Sequence, residues 1–216
     1  MSARISTKYH IYTIGYSAFH DINHFISILK ANKISCLIDV RSSPFSSFFP
    51  HYNKDNLIYS LKNHSILYRN YLNEFGARQE NPIYHHQGGY LDFTKFIQSN
   101  QFLSGVDKVQ KGIDLGYTFC LMCAEADPIN CHRSVMLSRG FKNNDFQISH
   151  ILRGGETISH QILEKNLVSL YFSHHNQLTI FDGLFENSST SISEDALLIS
   201  AYSQQNKLIG FRKQNP

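Results

Sequence analysis

Within eleven positions, Cys123 to Arg133, the stretch "CAEADPINCHR" carries two cysteines, two carboxylates, a histidine and an arginine. Such a set supports three chemistries. Thiolate and imidazole donors hold metal ions. A cysteine beside a base is a nucleophile. A carboxylate and a histidine exchange protons with water or with a ribose hydroxyl. Glu125 and His132 are the acid–base candidates. Arg41 and Arg133 are suited to gripping a phosphate or carboxylate by two-pronged hydrogen bonds, with Asp39 as a structural partner for one of them.

The cysteines divide by position. Cys131 follows "ADPIN" and stands at or just inside a helix start, where Asp127 or Asn130 would cap and Pro128 suits the first turn. The helix dipole and the neighbouring Arg133 both favour a thiolate there. Cys123 ends a strand at the same place, so either thiol is a candidate nucleophile, or else a small residue chosen for packing. The spacing from Cys123 to Arg133 does not match a compact cysteine-to-arginine phosphate cradle. Cys120 and Cys123 lie three apart in one strand, so their side chains point to opposite faces. A zinc held by both is therefore not expected. Cys120 and Cys36 are read as core residues, and the sequence calls for neither a metal nor a cofactor.

Alternating elements must position these groups. "HIYTIGYS" (10–17) reads as a strand ending near Gly15, and "DINHFISILKANKI" (21–34) follows with a helical apolar period and Asp21 as cap. "SCLIDVRSSP" (35–44) is a strand buried on both faces. "NKDNLIYSLKNH" (53–64) is helical, and "SILYRNYL" (65–72) is a third short strand. "EFGARQENPIYHHQGGY" (74–90) reads as a long surface loop, a feature often tied to function. Residues 91–116 form two helices or one broken helix, 117–123 is the clearest buried strand, 131–141 is a helix and 146–152 the last core strand.

Strands alternating with helices predict an α/β, three-layer fold: a central, mostly parallel sheet with helices on both faces. Its α/β domain would span 1–172, followed by a C-terminal extension, 173–216, with a Ser-rich linker at 186–195 and a terminal helix. Ligands bind beyond the carboxyl ends of such strands. Those ends carry Tyr16 and Ser17, then Arg41, Ser42 and Ser43, then Arg69, then Glu125 to Arg133. The candidate set is thus Glu125, His132, Cys131 and Cys123 for catalysis, and Tyr16, Ser17, Arg41, Ser43 and Arg133 for ligand binding.

The 216 residues are 42% hydrophobic and 17% charged, enough for a packed core. A net charge of +3 from scattered basic residues does not resemble a dedicated nucleic-acid surface. No segment reaches the roughly 20 apolar residues of a membrane span, and no signal peptide is evident. A cytoplasmic location without membrane attachment is expected, with the four cysteines as thiols.

The blocks "YTIGYS", "LIDVRSSPFS", "LMCAEADPINCHR" and "ISHILRGGETISH" resemble the hallmark segments of the domain-of-unknown-function 488 family. Thr13, Gly15, Tyr16, Ser17, Asp39, Arg41, Pro44, Ser46, Cys123, Glu125, Pro128, Cys131, His132, Arg133, His150 and His160 fall on its positions. The likeness covers roughly residues 10 to 160; in the middle the chain has "FGARQ" (75–79) where the family pattern has glycine-glycine-arginine. The resemblance implies a bacterial or archaeal cytosolic α/β protein with an active site, and no substrate. Three functions compete. One is a hydrolase acting on a nucleotide, nucleoside or nucleic-acid base, with a phosphate-bearing small molecule or nucleic acid as partner. The second is a thiol-dependent transferase or sulfur carrier using Cys123 and Cys131. The third is a non-catalytic anion- or partner-binding module.

Overall fold

The computed structural model describes residues 9–172 and 193–213. Its strands are β1 (Tyr9–Gly15), β2 (Cys36–Asp39), β3 (Leu67–Asn70), β4 (Phe119–Cys123), β5 (Phe146–Ile151) and β6 (Thr157–Ser159). They form one sheet in the order β3-β2-β4-β1-β5-β6. Every pairing is parallel except β5 with β6. Both β2 and β4 are buried along their whole length, which is why each reads as an unbroken apolar run rather than an alternation.

Helices cover both faces, as an α/β chain requires. On one face lie α1 (Ile22–Ala31) and α2 (Lys54–Lys62), which send Phe25, Ile26, Leu29, Leu57 and Leu61 onto Ile14, Leu37, Cys120 and Met122. Asp21 starts α1 by accepting from the Asn23 N–H at 2.9 Å. The other face carries α5 (Asn100–Asp114), α6 (Arg139–Lys142), α7 (His160–Phe172) and α8 (Glu194–Ile209). They bring Phe102, Val106, Phe141, Leu167 and Tyr202 against Ile11, Ile38, Leu121 and Cys123. Each fully buried phenylalanine contributes about 1.5–3 kcal/mol of apolar transfer free energy. Two single turns, α3 (Leu72–Phe75) and α4 (Phe93–Phe96), add Phe75, Phe93 and Phe96 to the same core. The stretch 91–116 is therefore two helices, α4 and α5.

Three details differ from the sequence expectation. β5 is followed by one more short strand before the next helix. The turn Leu152–Gly155 folds β6 back antiparallel, with Gly155 at φ 86. The helix expected at 131–141 starts at Arg133 as a π-helical segment, Arg133–Ser138, and only then becomes α6. The long loop holds a 3-10 turn, Pro82–Tyr84, and a bridge from His85 to Leu91. Most of the Ser-rich linker, 186–192, lies outside the described residues; Ser193 caps α8 by accepting from Ala196. From α8, Ala201 and Tyr202 are buried in the core.

A buried hydrogen-bonded chain joins four elements. Thr13 Oγ1 meets His150 Nδ1 at 2.8 Å, His150 Nε2 meets His160 Nδ1 at 3.0 Å, and His160 Nε2 meets the Tyr202 hydroxyl at 2.9 Å. The Tyr202 hydroxyl donates to Glu164, which also receives Lys142. Burial, then the neighbouring His160 and the positive Arg133, push the His150 imidazole well down, and burial pushes His160 down to about 4 despite Glu164. The unfolded chain therefore binds protons that the folded chain refuses between pH 6.5 and about 4. Stability contributed by the neutral pair is full above pH 6.5 and falls as the pH drops. From His160 alone the expected loss by pH 5 is about 2 kcal/mol. Urea unfolding at pH 7 and pH 5 checks this; equal stability at both would contradict it.

Candidate functional site

The register of the central strands decides which residues meet. Gly15 at the end of β1 pairs with Cys123 at the end of β4, and Asp39 at the end of β2 pairs with Met122. All three strands are parallel, so the next residues of each leave the sheet along one edge, where α/β sheets place their ligands. Tyr16, Arg41 and Glu125 thus line a single cavity of about 220 Å³, joined by Ser43, Arg78 and His132.

The loop after β4 is held by a buried cation. Arg133 is fully buried. Its Nη1 donates to the carbonyl of Glu125 and its Nη2 to that of Ala126 at 3.0 Å. Asp127 tightens the far side by accepting from the Ile129 N–H and from Asn130 Nδ2, both at 2.9 Å. Ser17 contributes its backbone N–H to the carbonyl of Ala124 at 3.1 Å. Gly15 lies directly under the loop: a Cβ built there would fall on the carbonyl oxygen of Glu125. Only a residue without a side chain lets strand and loop approach this closely.

Folded this way, the loop stacks four reactive groups. Glu125 is exposed as a residue, yet its Oε2 is turned inward and accepts from both Cys123 Sγ and Cys131 Sγ at 2.9 Å. His132 Nδ1 lies 3.5 Å from Cys123 Sγ and 3.9 Å from Cys131 Sγ. Desolvation and the negative Cys131 raise the Glu125 carboxyl above its usual range. The Cys123 thiol is pushed well up by burial and by the acceptors it faces. Burial works against a thiolate at Cys131 as well, but the Cys123 thiol, Arg133 and His132 outweigh it and hold Cys131 well below its usual value. His132 is held above the ordinary imidazole value because burial is outweighed by the Cys131 hydrogen bond and charge.

Arg41 is pinned differently. Its Nε and Nη2 donate to the two oxygens of Asp39 at 2.9 and 2.6 Å, and its guanidinium lies 5.0 Å from the centre of the Tyr16 ring. Tyr68 adds a hydroxyl to Asp39 at 2.8 Å. The remaining Nη1 of Arg41 has no partner.

Of the residues singled out from the sequence, Tyr16, Arg41, Ser43, Cys123, Glu125 and His132 line the crevice. Cys131 lies behind Glu125, 1% exposed. Ser17 meets the loop through its backbone. Arg133 was expected to grip a ligand; its guanidinium is buried, with Nη1 and Nη2 on two backbone carbonyls and Nε unpaired, and it is not among the residues that line the crevice. Arg69 sits on the edge strand β3, and its Nη1 turns back to the carbonyl of Tyr68. The crevice also contains Phe45, 68% exposed, and Arg78 from the long loop. The signal for Phe45 was an aromatic residue directly after the polar strand end of β2. Cys120 packs on the opposite face of the sheet from Cys123, among the residues around Leu37.

A family model described as domain of unknown function DUF488 matches residues 21–139. That span contains Asp39, Arg41 and the whole Cys123–Arg133 block, while Gly15 and the His150–His160 pair lie outside it. Neither a curated protein nor a solved structure matches the chain. Among the described residues, no helix is long and apolar enough to cross a membrane.

If the contact between Gly15 and the Glu125 carbonyl sets the loop, Gly15→Ala must push the loop outward. A destabilisation of about 1–3 kcal/mol is expected, as for overpacking, together with faster alkylation of Cys123 and Cys131. Denaturant unfolding and thiol labelling measure both, and wild-type values would rule the constraint out.

Proposed function

The chain belongs to the DUF488 family, whose description carries no activity, and we propose that the strand-end crevice is the active site of a hydrolase. Its substrate is a phosphate-bearing small molecule of the nucleotide class. The observation that carries this is Arg41 Nη1. Two nitrogens of that guanidinium are fixed on Asp39, and the third, buried and unpaired, belongs to a residue lining the crevice. A buried donor without a partner is costly, and an anionic oxygen of a substrate supplies the acceptor. Arg78 lines the same space and adds a second positive charge. Phe45 offers an exposed ring against which a planar base can stack.

Glu125 is the base. Its raised pKa brings it closer to neutrality than a free carboxylate. A water in the crevice gives one proton to Glu125 as its oxygen attacks the electrophilic centre. The bond to the leaving group breaks, and Glu125 returns that proton to the leaving group.

Burial argues against the two thiols as nucleophiles. Cys131 is 1% and Cys123 3% exposed, and although Cys123 borders the crevice, both sulfurs contact Oε2 of Glu125. A nucleophile needs a path to its substrate.

Turnover of a panel of nucleotides, nucleosides and simple phosphate esters tests the assignment. Glu125→Gln keeps the shape and removes the charge, and the expected loss in kcat is about a hundredfold or more. Arg41→Lys is expected to raise KM about tenfold, through loss of an anion contact, with a smaller change in kcat. Equal turnover by wild type and Glu125→Gln would place the chemistry on other groups.

A further inference from the structure

We propose that Cys123, Cys131, His132 and Glu125 together form a binding site for a divalent transition-metal ion of the zinc type. Their ligand atoms, two sulfurs, one imidazole nitrogen and a carboxylate oxygen, all lie within 4.8 Å of one another. In a tetrahedral site with bonds of about 2.0–2.3 Å, neighbouring donors stand roughly 3.3–3.8 Å apart. The distances from His132 Nδ1 to the two sulfurs are 3.5 and 3.9 Å, the first within that range and the second just beyond it. The contacts from Glu125 Oε2 to the sulfurs are shorter, 2.9 Å, as hydrogen-bonded contacts. Metal binding replaces the protons that these groups share, and the carboxylate then needs to withdraw by about 0.6–0.7 Å.

The donor chemistry selects the ion. Two thiolates and an imidazole suit zinc and disfavour magnesium or calcium, which take oxygen ligands. The surroundings suit the bound state as well. The backbone N–H of Arg133 points at Cys131 Sγ at 3.4 Å. The negative charges of two thiolates and a carboxylate are matched by a divalent ion and the buried Arg133 guanidinium. His132 presents Nδ1 to the sulfurs, while its Nε2 is buried without a partner on a residue 7% exposed. That is an unusual state for a core histidine. A ligating imidazole carries its proton on the other nitrogen, ready for an acceptor brought into the crevice. His150 and His160 make the contrast: both ring nitrogens of each already have hydrogen-bond partners, so neither is available as a ligand.

The set is uneven. Cys123, Cys131 and His132 are buried, whereas Glu125 is exposed and lines the crevice. Three fixed ligands with one exchangeable position are the pattern of zinc sites that act on substrates rather than merely brace a fold. Cys120, on the opposite face of the sheet, takes no part; the loop returns Cys131 and His132 to Cys123 at the end of β4.

The test uses the full chain, stripped by a chelator under reducing conditions and titrated with Co²⁺ and then Zn²⁺. One equivalent of Co²⁺ is expected to give thiolate-to-cobalt charge-transfer absorption and intense tetrahedral d–d bands, both lost on adding Zn²⁺. Zn²⁺ should also protect Cys123 and Cys131 from alkylation in the wild type. Cys131→Ser and His132→Gln are each expected to weaken Zn²⁺ binding by at least about tenfold. Cys120→Ser should bind as the wild type does. Glu125→Gln, a change at an exposed loop position, should keep the thiolate bands and alter the d–d pattern. A folded wild type that takes up no stoichiometric Co²⁺, or whose thiols zinc leaves unprotected, overturns the site. So does binding that survives Cys123→Ser and Cys131→Ser together. None of these readings needs a substrate, so the metal site and the hydrolase assignment fail separately.

Discussion

A fully buried guanidinium, that of Arg133, organises this end of the molecule. Burying such a charge is costly unless hydrogen bonds and opposite charge compensate it. Here the carbonyls of Glu125 and Ala126 supply the hydrogen bonds, and Arg133 in turn favours the thiolate form of Cys131, the matching opposite charge. The loop between β4 and the π-helical segment therefore cannot swing freely. Moving it would strand a buried cation. Through that one clamp, Glu125 is turned back over the two thiols and His132 is set beside them. The π-helical start is the local accompaniment, with the Ser138 hydroxyl donating to the carbonyl of Arg133, and such distortions are frequent at functional sites.

The clamp works because the sheet delivers its partners in register. Gly15, at the end of β1, lets the loop lie almost on the strand. One strand beyond β4, Asp39 ends β2 and fixes Arg41 so that a single nitrogen is left over. Arg133 and Arg41 thus have opposite roles at one edge. Each keeps one buried nitrogen unpaired, Nε of Arg133 and Nη1 of Arg41, but the first has both Nη atoms on backbone carbonyls and shapes the site, whereas the second lines the crevice. The two thiols, the imidazole and the carboxylate lie between them.

Much of this was legible in the sequence because burial and period speak directly. The runs at 35–44 and 117–123 read as strands buried on both faces, and β2 and β4 are buried throughout. Alternating strands and helices implied a mostly parallel three-layer sheet, and only β5–β6 departs from it. β6 left no signal, because three residues with one half-buried side chain form no apolar run. The strand-end rule picked out Tyr16, Arg41 and Glu125, which share the cavity. It could not say which way Arg133 turns, since one helical position serves equally to reach a ligand or a carbonyl. Nor could it pair Cys123 with His132, nine positions on. That contact depends on a loop conformation fixed by hydrogen bonds, not by residue pattern. The chain from Thr13 through His150 and His160 to Tyr202 was hidden for the same reason, spanning β1, β5, α7 and α8.

The claim that Arg133 holds the reactive loop in place is tested most directly by thiol accessibility in Arg133→Met. All four cysteines are buried in the wild type. If the clamp is what keeps the loop closed, the variant should expose Cys123 and Cys131 to an alkylating reagent many times faster. Cys36 and Cys120, deep in the sheet, should stay protected, and far-ultraviolet circular dichroism should be unchanged. Labelling of Cys123 and Cys131 at the wild-type rate in a folded Arg133→Met protein would contradict the account, because the loop would then be held by something other than that guanidinium.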